Sequence, residues 1–132
     1  MFIDRMLNQG PTPLLEKMLD FTAARHQMLA ENIVNIDTPN YHNKDLSLTK
    51  FQSLLRDRSR VRSDIAPGSV RFDDIHVDPH QTDGLMFHDG NNRSAEQLMT
   101  DEAKNALMHN LVVELLRKQY SEMEMALKDR VT

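Results

Sequence analysis

Apolar side chains recur at helical spacing in two long stretches, one near each end of the chain, and a middle broken by proline and glycine separates them. In the first stretch Leu15, Leu19, Thr22, Leu29, Ile33 and Ile36 fall on one helical face, widened by Leu14, Met18, Phe21 and Met28. In the second, Leu98, Met108, Val112, Leu116, Tyr120, Met123 and Leu127 trace one face, and Ala103, Leu107, Leu111 and Leu115 trace another beside it. An amphipathic helix must bury its apolar stripe against something. Two helices drawn from opposite ends of the chain therefore predict a mainly α fold, with long N- and C-terminal helices forming a coiled, hairpin-like domain.

The residues expected to make that packing are Leu15, Leu19, Leu29 and Ile33 from the first helix, with Leu107, Leu111, Val112, Leu115, Leu116 and Tyr120 from the second. The second helix is apolar over more of its circumference than one partner helix covers, which points to oligomeric or polymeric assembly. A monomer closed by its own middle segment is the plainer alternative. Hydrophobic residues make up 39% of the chain and aromatics 5%, a modest supply for a self-contained core, so a partner is expected to complete some apolar surface.

The expected boundaries follow from local chemistry within a single domain, 1–132. Thr12 is a suitable N-cap and Pro13 a suitable first helical residue, opening a helix over 12–37. Ser94 and Gln97 have capping-box spacing at the start of a helix over 94–130, where Glu114 and Lys118 add a helical charge pair. The middle, 38–93, is read as largely irregular. It contains a short helix in DLSLTKFQSLLRDR, using Leu48, Phe51, Leu54 and Leu55, and short β-strands or partner-binding edges at SVRF and DIHV.

Charge and composition exclude several functions. With 16 basic and 20 acidic residues the formal charge is -4, which gives no general attraction to nucleic acid or an anionic membrane. Arg56, Arg58, Arg60 and Arg62 would form a phosphate-facing stripe if extended, but Asp57 and Asp64 interrupt the run and stacking aromatics are scarce. A solvated surface or an acidic protein partner is the better reading. The chain has no cysteine, so it has neither disulfides nor thiolate chemistry. No run reaches the length of a membrane span, and MFIDRMLNQG lacks the features of a cleavable signal.

The most enzyme-like concentration is FDDIHVDPHQTDGLMFHDGNN, where His76, His80 and His88 accompany Asp73, Asp74, Asp78, Asp83 and Asp89. Such groups bind divalent metals, but Pro79 denies His76 and His80 a shared helical face, and neither a zinc-protease helix nor an EF-hand loop is present. A solvated turn-rich loop is the expectation, with no metal and no cofactor. No nucleophile elbow or phosphate-binding loop occurs. Glu102 and Glu114 could approach histidines, and His109 could equally fill a polar notch between helices. No enzymatic activity is expected.

An interaction protein remains, and AENIVNIDTPNY, residues 30–41, is its most informative segment. Asn32 and Asn35 stand in an apolar stripe, where a buried amide must find a partner on another helix or a loop. Thr38-Pro39 disfavours continued helix, Asn40 tolerates a left-handed turn, and Tyr41 can pack back on the helix that has just ended. Together these residues describe a shaped connector.

ENIVNIDTPNY resembles the Asn-Ile-x-Asn-x-x-Thr-Pro-Gly-Tyr signature near the N-terminus of bacterial flagellar rod and hook proteins. Chain length, HDGNN at 88–92 and the long C-terminal helix make it most similar to subunits of the proximal rod. The resemblance implies a structural subunit exported by the flagellar type III apparatus without a cleaved signal. Such a subunit assembles with neighbouring copies and with other rod and basal-body proteins around a central channel, in the rod crossing the periplasm, where it transmits torque. It assigns the signature's polar and turn positions to Asn32, Asn35, Thr38, Pro39 and Tyr41 and its apolar position to Ile33, while Asn40 stands where glycine is usual. A helical adaptor or secretion-associated chaperone is the alternative.

Overall fold

The structure, a computed structural model, describes residues 10–61, 72, 74–82 and 95–129. The element order is α1 (Thr12–Val34), β1 (Lys44–Asp45), α2 (Leu48–Val61), β2 (His80–Gln81) and α3 (Ala95–Asp129). The fold is mainly helical, with a small irregular region that holds the two strands. At about 1.5 Å of rise per residue, α1 is about 34 Å long and α3 about 52 Å.

α1 and α3 run antiparallel, as the pairs between them show. Glu16 meets Tyr120, Thr22 meets His109 and Asn105, and His26 meets Glu102, so position falls along α3 as it rises along α1. Leu15, Val112 and Leu116 form the buried apolar cluster of this seam, with Met18, Leu19 and Met108 packed against it. The seven-residue rows Leu15-Thr22-Leu29 and Leu98-Asn105-Val112 supply all six of these positions as buried residues. Each row thus carries one polar member between two apolar ones.

The adjoining side of α1 builds a second core. Phe21 stacks on Phe51 of α2 with ring centroids 4.0 Å apart and planes 7° from parallel. Leu46, Leu55, Phe72, Ile75 and Val77 complete that cluster, and Leu14, Met18, Met28, Leu48 and Leu54 border it. Met18 borders both clusters. α1 is thus the shared wall: α3 covers one face and the folded middle segment covers the other.

Several local expectations are corrected. α1 starts at Thr12 rather than after it: the Leu15 N–H donates to the Pro11 carbonyl at 2.9 Å, and no side chain caps this end. Thr12 is fully buried, its Oγ1 has no partner among the described residues, and Pro13 takes the second helical position, where its missing N–H is equally harmless. α1 also stops at Val34, short of residue 37. DIHV is irregular, and the strands lie instead at 44–45 and 80–81, paired antiparallel as Lys44 with Gln81 and Asp45 with His80. Arg56, Arg58 and Arg60 lie on α2, where alternate residues point to different sides, so no extended basic stripe forms. Arg62, Ser94, most of SVRF, the HDGNN segment, Asp73 and Asp83 lie outside the described residues.

Leu29, 2% exposed, and Leu111, 60% exposed, separate core from surface on the two long helices. Leu29→Ala should cost about 2–5 kcal/mol by loss of buried contacts and creation of a cavity. Leu111→Ala should stay within about 0.5 kcal/mol of the parent. Urea unfolding midpoints of the two variants check the contrast.

Candidate functional site

The connector begins where the backbone of α1 runs out of helical partners. At the C-terminal end of α1 the Asn35 N–H and its side-chain Nδ2 both donate to the Glu31 carbonyl, at 3.1 and 2.9 Å. Asn35 Oδ1 in turn accepts from the Thr38 hydroxyl at 3.3 Å, and the Thr38 N–H donates to the Asn35 carbonyl at 3.0 Å. A short amide thus takes over from the helix ladder, which is why the helix ends at Val34.

The next turn explains the Thr-Pro-Asn order. The Tyr41 N–H donates to the Thr38 carbonyl at 3.3 Å, closing a four-residue turn with Pro39 second and Asn40 third. Asn40 has φ of 59°, the left-handed region. A turn with proline second and positive φ third favours glycine or asparagine at that third place. Asparagine at residue 40 therefore suits this conformation, as glycine would.

Asn32 fastens the far end of the loop. Its Nδ2 donates to the Lys44 carbonyl at 2.6 Å and its Oδ1 accepts from the Lys44 N–H at 3.1 Å. The side chain pairs with one backbone residue as a neighbouring strand would. The Tyr41 hydroxyl donates to the same Oδ1 at 3.2 Å. Asn32 is 1% exposed, so its amide replaces water for both backbone groups of Lys44. On the other edge of this strand segment the Thr82 N–H donates to the Asn43 carbonyl at 3.0 Å.

A buried ion pair locks the same strand to α1. Arg25 Nε and Nη2 donate to the two Asp45 oxygens at 2.8 and 2.7 Å, and the side chains are 11% and 13% exposed. Asp45 Oδ1 also accepts from the Leu46 N–H at 2.7 Å. The Asp45 carboxylate raises the Arg25 pKa, chiefly through these hydrogen bonds and against the opposing effect of burial. No sequence signature marked this pair, because twenty residues and a turn separate its members.

The anticipated packing residues divide into three groups. Leu15, Leu29, Val112 and Leu116 are buried, and Leu19 and Ile33 are half-buried. Leu107, Leu111, Leu115 and Tyr120 are 72%, 60%, 42% and 42% exposed. The three leucines form an exposed stripe along α3 that runs from the side away from Asn105, at Leu107, to the edge of the seam at Leu115. Tyr120 makes a polar contact at the seam, its hydroxyl donating to Glu16 at 2.8 Å. Reading the sequence missed Asn105, although its place midway between Leu98 and Val112 at seven-residue spacing marks it as a seam residue.

Of the candidate catalytic and metal-binding groups, His76 and Asp78 are exposed and 3.4 Å apart, and Asp74 pairs with Arg58. Among the described residues no three His, Cys, Asp or Glu side chains are placed to hold a metal ion, and no helix is long and apolar enough to cross a membrane. His88, Asp73, Asp83 and Asp89 lie outside the described residues. Glu102 does meet a histidine, His26, whereas Glu114 pairs with Arg117 at 2.9 Å.

No protein-family model matches the chain. Two curated relatives do, over nearly their whole length. The flagellar basal body rod protein FlgB of Bacillus subtilis (strain 168) is 29% identical over 132 residues, covering 92% of this chain and 95% of the relative. The FlgB of Aquifex aeolicus (strain VF5) is 26% identical over 117 residues, covering 89% and 92%. The chain is distantly similar to flagellar basal body rod proteins. This likeness is at the level of the family.

The connector generates two tests of stability. Asn32→Ala leaves the Lys44 N–H and carbonyl without their partner and should cost about 1–3 kcal/mol, whereas Asn40→Gly, which suits the positive φ, should be neutral or stabilising by up to about 1 kcal/mol. Thermal unfolding of both variants checks the opposite signs. Burial, and then the charge of Glu31, raise the Tyr41 pKa, so the folded chain holds the phenol proton more tightly than the unfolded chain. Stability is intact below the ordinary phenol value of about 10 and falls as pH rises past it. Tyr41→Phe should flatten that alkaline loss in unfolding midpoints measured from about pH 8 to about pH 11.

Proposed function

We propose that the chain is a structural subunit of the proximal flagellar rod, a FlgB-type protein that assembles with neighbouring copies and other axial proteins. The role is non-catalytic. In this reading the subunit leaves the cell through the flagellar type III apparatus without a cleaved signal, joins the rod where it crosses the periplasm, forms part of the channel wall and transmits torque. Its terminal helices coil together in the assembled rod.

The observation that carries this reading is the leucine stripe. Leu107, Leu111 and Leu115 stand exposed in a row along α3, outside its buried seam with α1, in a chain whose curated relatives are rod proteins over 95% and 92% of their length. A contiguous apolar stripe on a helix that already has its partner suits attachment to another chain. The connector supports the same reading in a different way: its polar groups are spent on internal bonds, which fixes a shape and leaves no reactive cluster.

Leu111→Asp and Leu115→Asp separate folding from assembly. Each places a charge on an exposed position, so the isolated variants should unfold within about 0.5 kcal/mol of the parent. Each should nevertheless lose incorporation into basal bodies and cut swarming motility sharply, because burying an uncompensated charge at a subunit contact is costly. Basal bodies purified from both strains and imaged at high resolution provide the readout. Normal incorporation of both variants would overturn the placement, and absence of the parent protein from basal bodies would favour a soluble adaptor or chaperone.

A further inference from the structure

A depression of about 270 Å³ opens where α1 meets the segment leading into β2. Phe21, Phe51, Ile75 and Val77, all buried, form its floor, and the exposed Ala24 and Pro79 stand at its mouth. Lys17 and Asp20 supply charge on the α1 side. At roughly 100° per residue Ala24 lies about 160° around α1 from Thr22, so this mouth faces away from the seam with α3. A methyl group stands where a larger side chain would close the gap.

The same chain carries a row of side chains that fits. Leu107 and Leu111, 72% and 60% exposed, stand on α3 outside its seam, with Leu115 at the end of the row. At 1.5 Å per residue the row from Leu107 to Leu115 is about 12 Å long, and the α1 edge of the depression, from Lys17 to Met28, about 17 Å. The two surfaces do not meet within one chain, because α3 already packs on α1 through its other side. Charges around them choose an orientation. With Leu111 set over Ala24 and the helices antiparallel, Lys104 and Glu31 fall opposite one another, each seven residues from the centre, and Glu114 approaches Lys17. Lys118 also comes beside Lys17, but Glu122 accompanies it at 4.0 Å and Asp20 lies within one turn. Reversing the orientation exchanges the two lysines and brings Glu114 toward Glu31 instead. Glu114 therefore decides for the antiparallel arrangement.

We propose that this depression receives Leu111 of a second copy of the chain, with α3 of that copy laid antiparallel along α1. The contact rests on the assembly reading above and gives it a direction. Because the inserting row and the receiving depression are different surfaces, the pairing runs head to tail, and the outer copies of any pair still offer one row and one depression. Such a contact propagates into an open helical array unless its rotation closes a ring. Two-fold pairing of leucine rows would instead stop at a dimer.

The chain has no cysteine, so single substitutions report the contact without background. Ala24→Cys and Leu111→Cys, both at exposed positions that tolerate the change, are placed in separate full chains, mixed and oxidised with copper phenanthroline. A disulfide between the two chains is expected at least tenfold above either homodimer, and above a mixture in which Ser59→Cys, exposed on α2, replaces Leu111→Cys. Glu31→Lys in the Ala24→Cys chain should reduce the cross-link at least about threefold, and Lys104→Glu in the Leu111→Cys chain should restore it. A dominant homodimer through Leu111→Cys, a cross-link no stronger than the Ser59→Cys control, or one indifferent to both charge changes would each overturn the proposal. Basal-body imaging of the parent reads the assembly role separately: protein present in basal bodies without this cross-link sinks the contact alone, and protein absent from them sinks the reading on which it rests.

Discussion

The hydrogen bond from the Asn105 amide to the Thr22 carbonyl sets the geometry on which everything else rests. Apolar contacts along two helices are nearly degenerate, since a shift by one turn exchanges one leucine for another at little cost. A buried amide removes that degeneracy: in a slipped register it would face apolar side chains, and leaving it unpaired costs about 1–3 kcal/mol. His109 adds a second bond to the hydroxyl of the same threonine, so one residue of α1 is held by two on α3. With the register fixed, α1 can serve as the wall for the second core, because its other face then has a defined position.

The connector applies the same device to a loop. Asn32 stands on α1 and bonds both backbone groups of Lys44, while Arg25, also on α1, holds the carboxylate of Asp45. Two adjacent strand residues are thereby tied to one helix, and that helix is already tied to α3. A two-residue strand pair is too small to be stable by itself. It persists here because side chains from α1 act as a neighbouring strand, and the turn with Asn40 at positive φ brings the chain back to meet them.

This hierarchy accounts for what could be read from the amino-acid order. The long helices were visible because Leu15, Leu29, Val112 and Leu116 repeat at helical spacing, and that period survives any tertiary detail. The turn at Thr38 to Tyr41 was visible because proline and asparagine carry backbone preferences with them. The strands were not, since Lys44 pairs with Gln81 only after α1 and the middle segment have brought them together. Asn32 could be read as an amide in need of a partner, but a backbone partner such as Lys44 has no sequence signature. The short helix over the first arginines was visible for the same reason as the long ones, since Phe51 and Leu55 repeat at helical spacing, and it excludes an extended stripe through Arg56, Arg58 and Arg60. At the start of α1, Thr12 had the chemistry of a cap but is buried, and the packed position prevailed over the local preference.

The placement of the leucine stripe follows from the same register. At roughly 100° per residue, Leu107 and Leu111 lie about 160° and about 120° around α3 from Asn105 and Leu115 about 80°, so the bonds that fasten α3 to α1 turn the first two outward and leave Leu115 at the seam's edge. A partner chain could cover the stripe without displacing a single seam contact. The surface that folds α3 onto α1 is thus distinct from the exposed leucines, and the polar seam that costs the pair some apolar burial keeps the two from exchanging roles. Had Asn105 been leucine, rotating α3 would bury the stripe and expose the seam with little penalty. The amide opposes that rotation, so the exposed leucines stay available to another molecule.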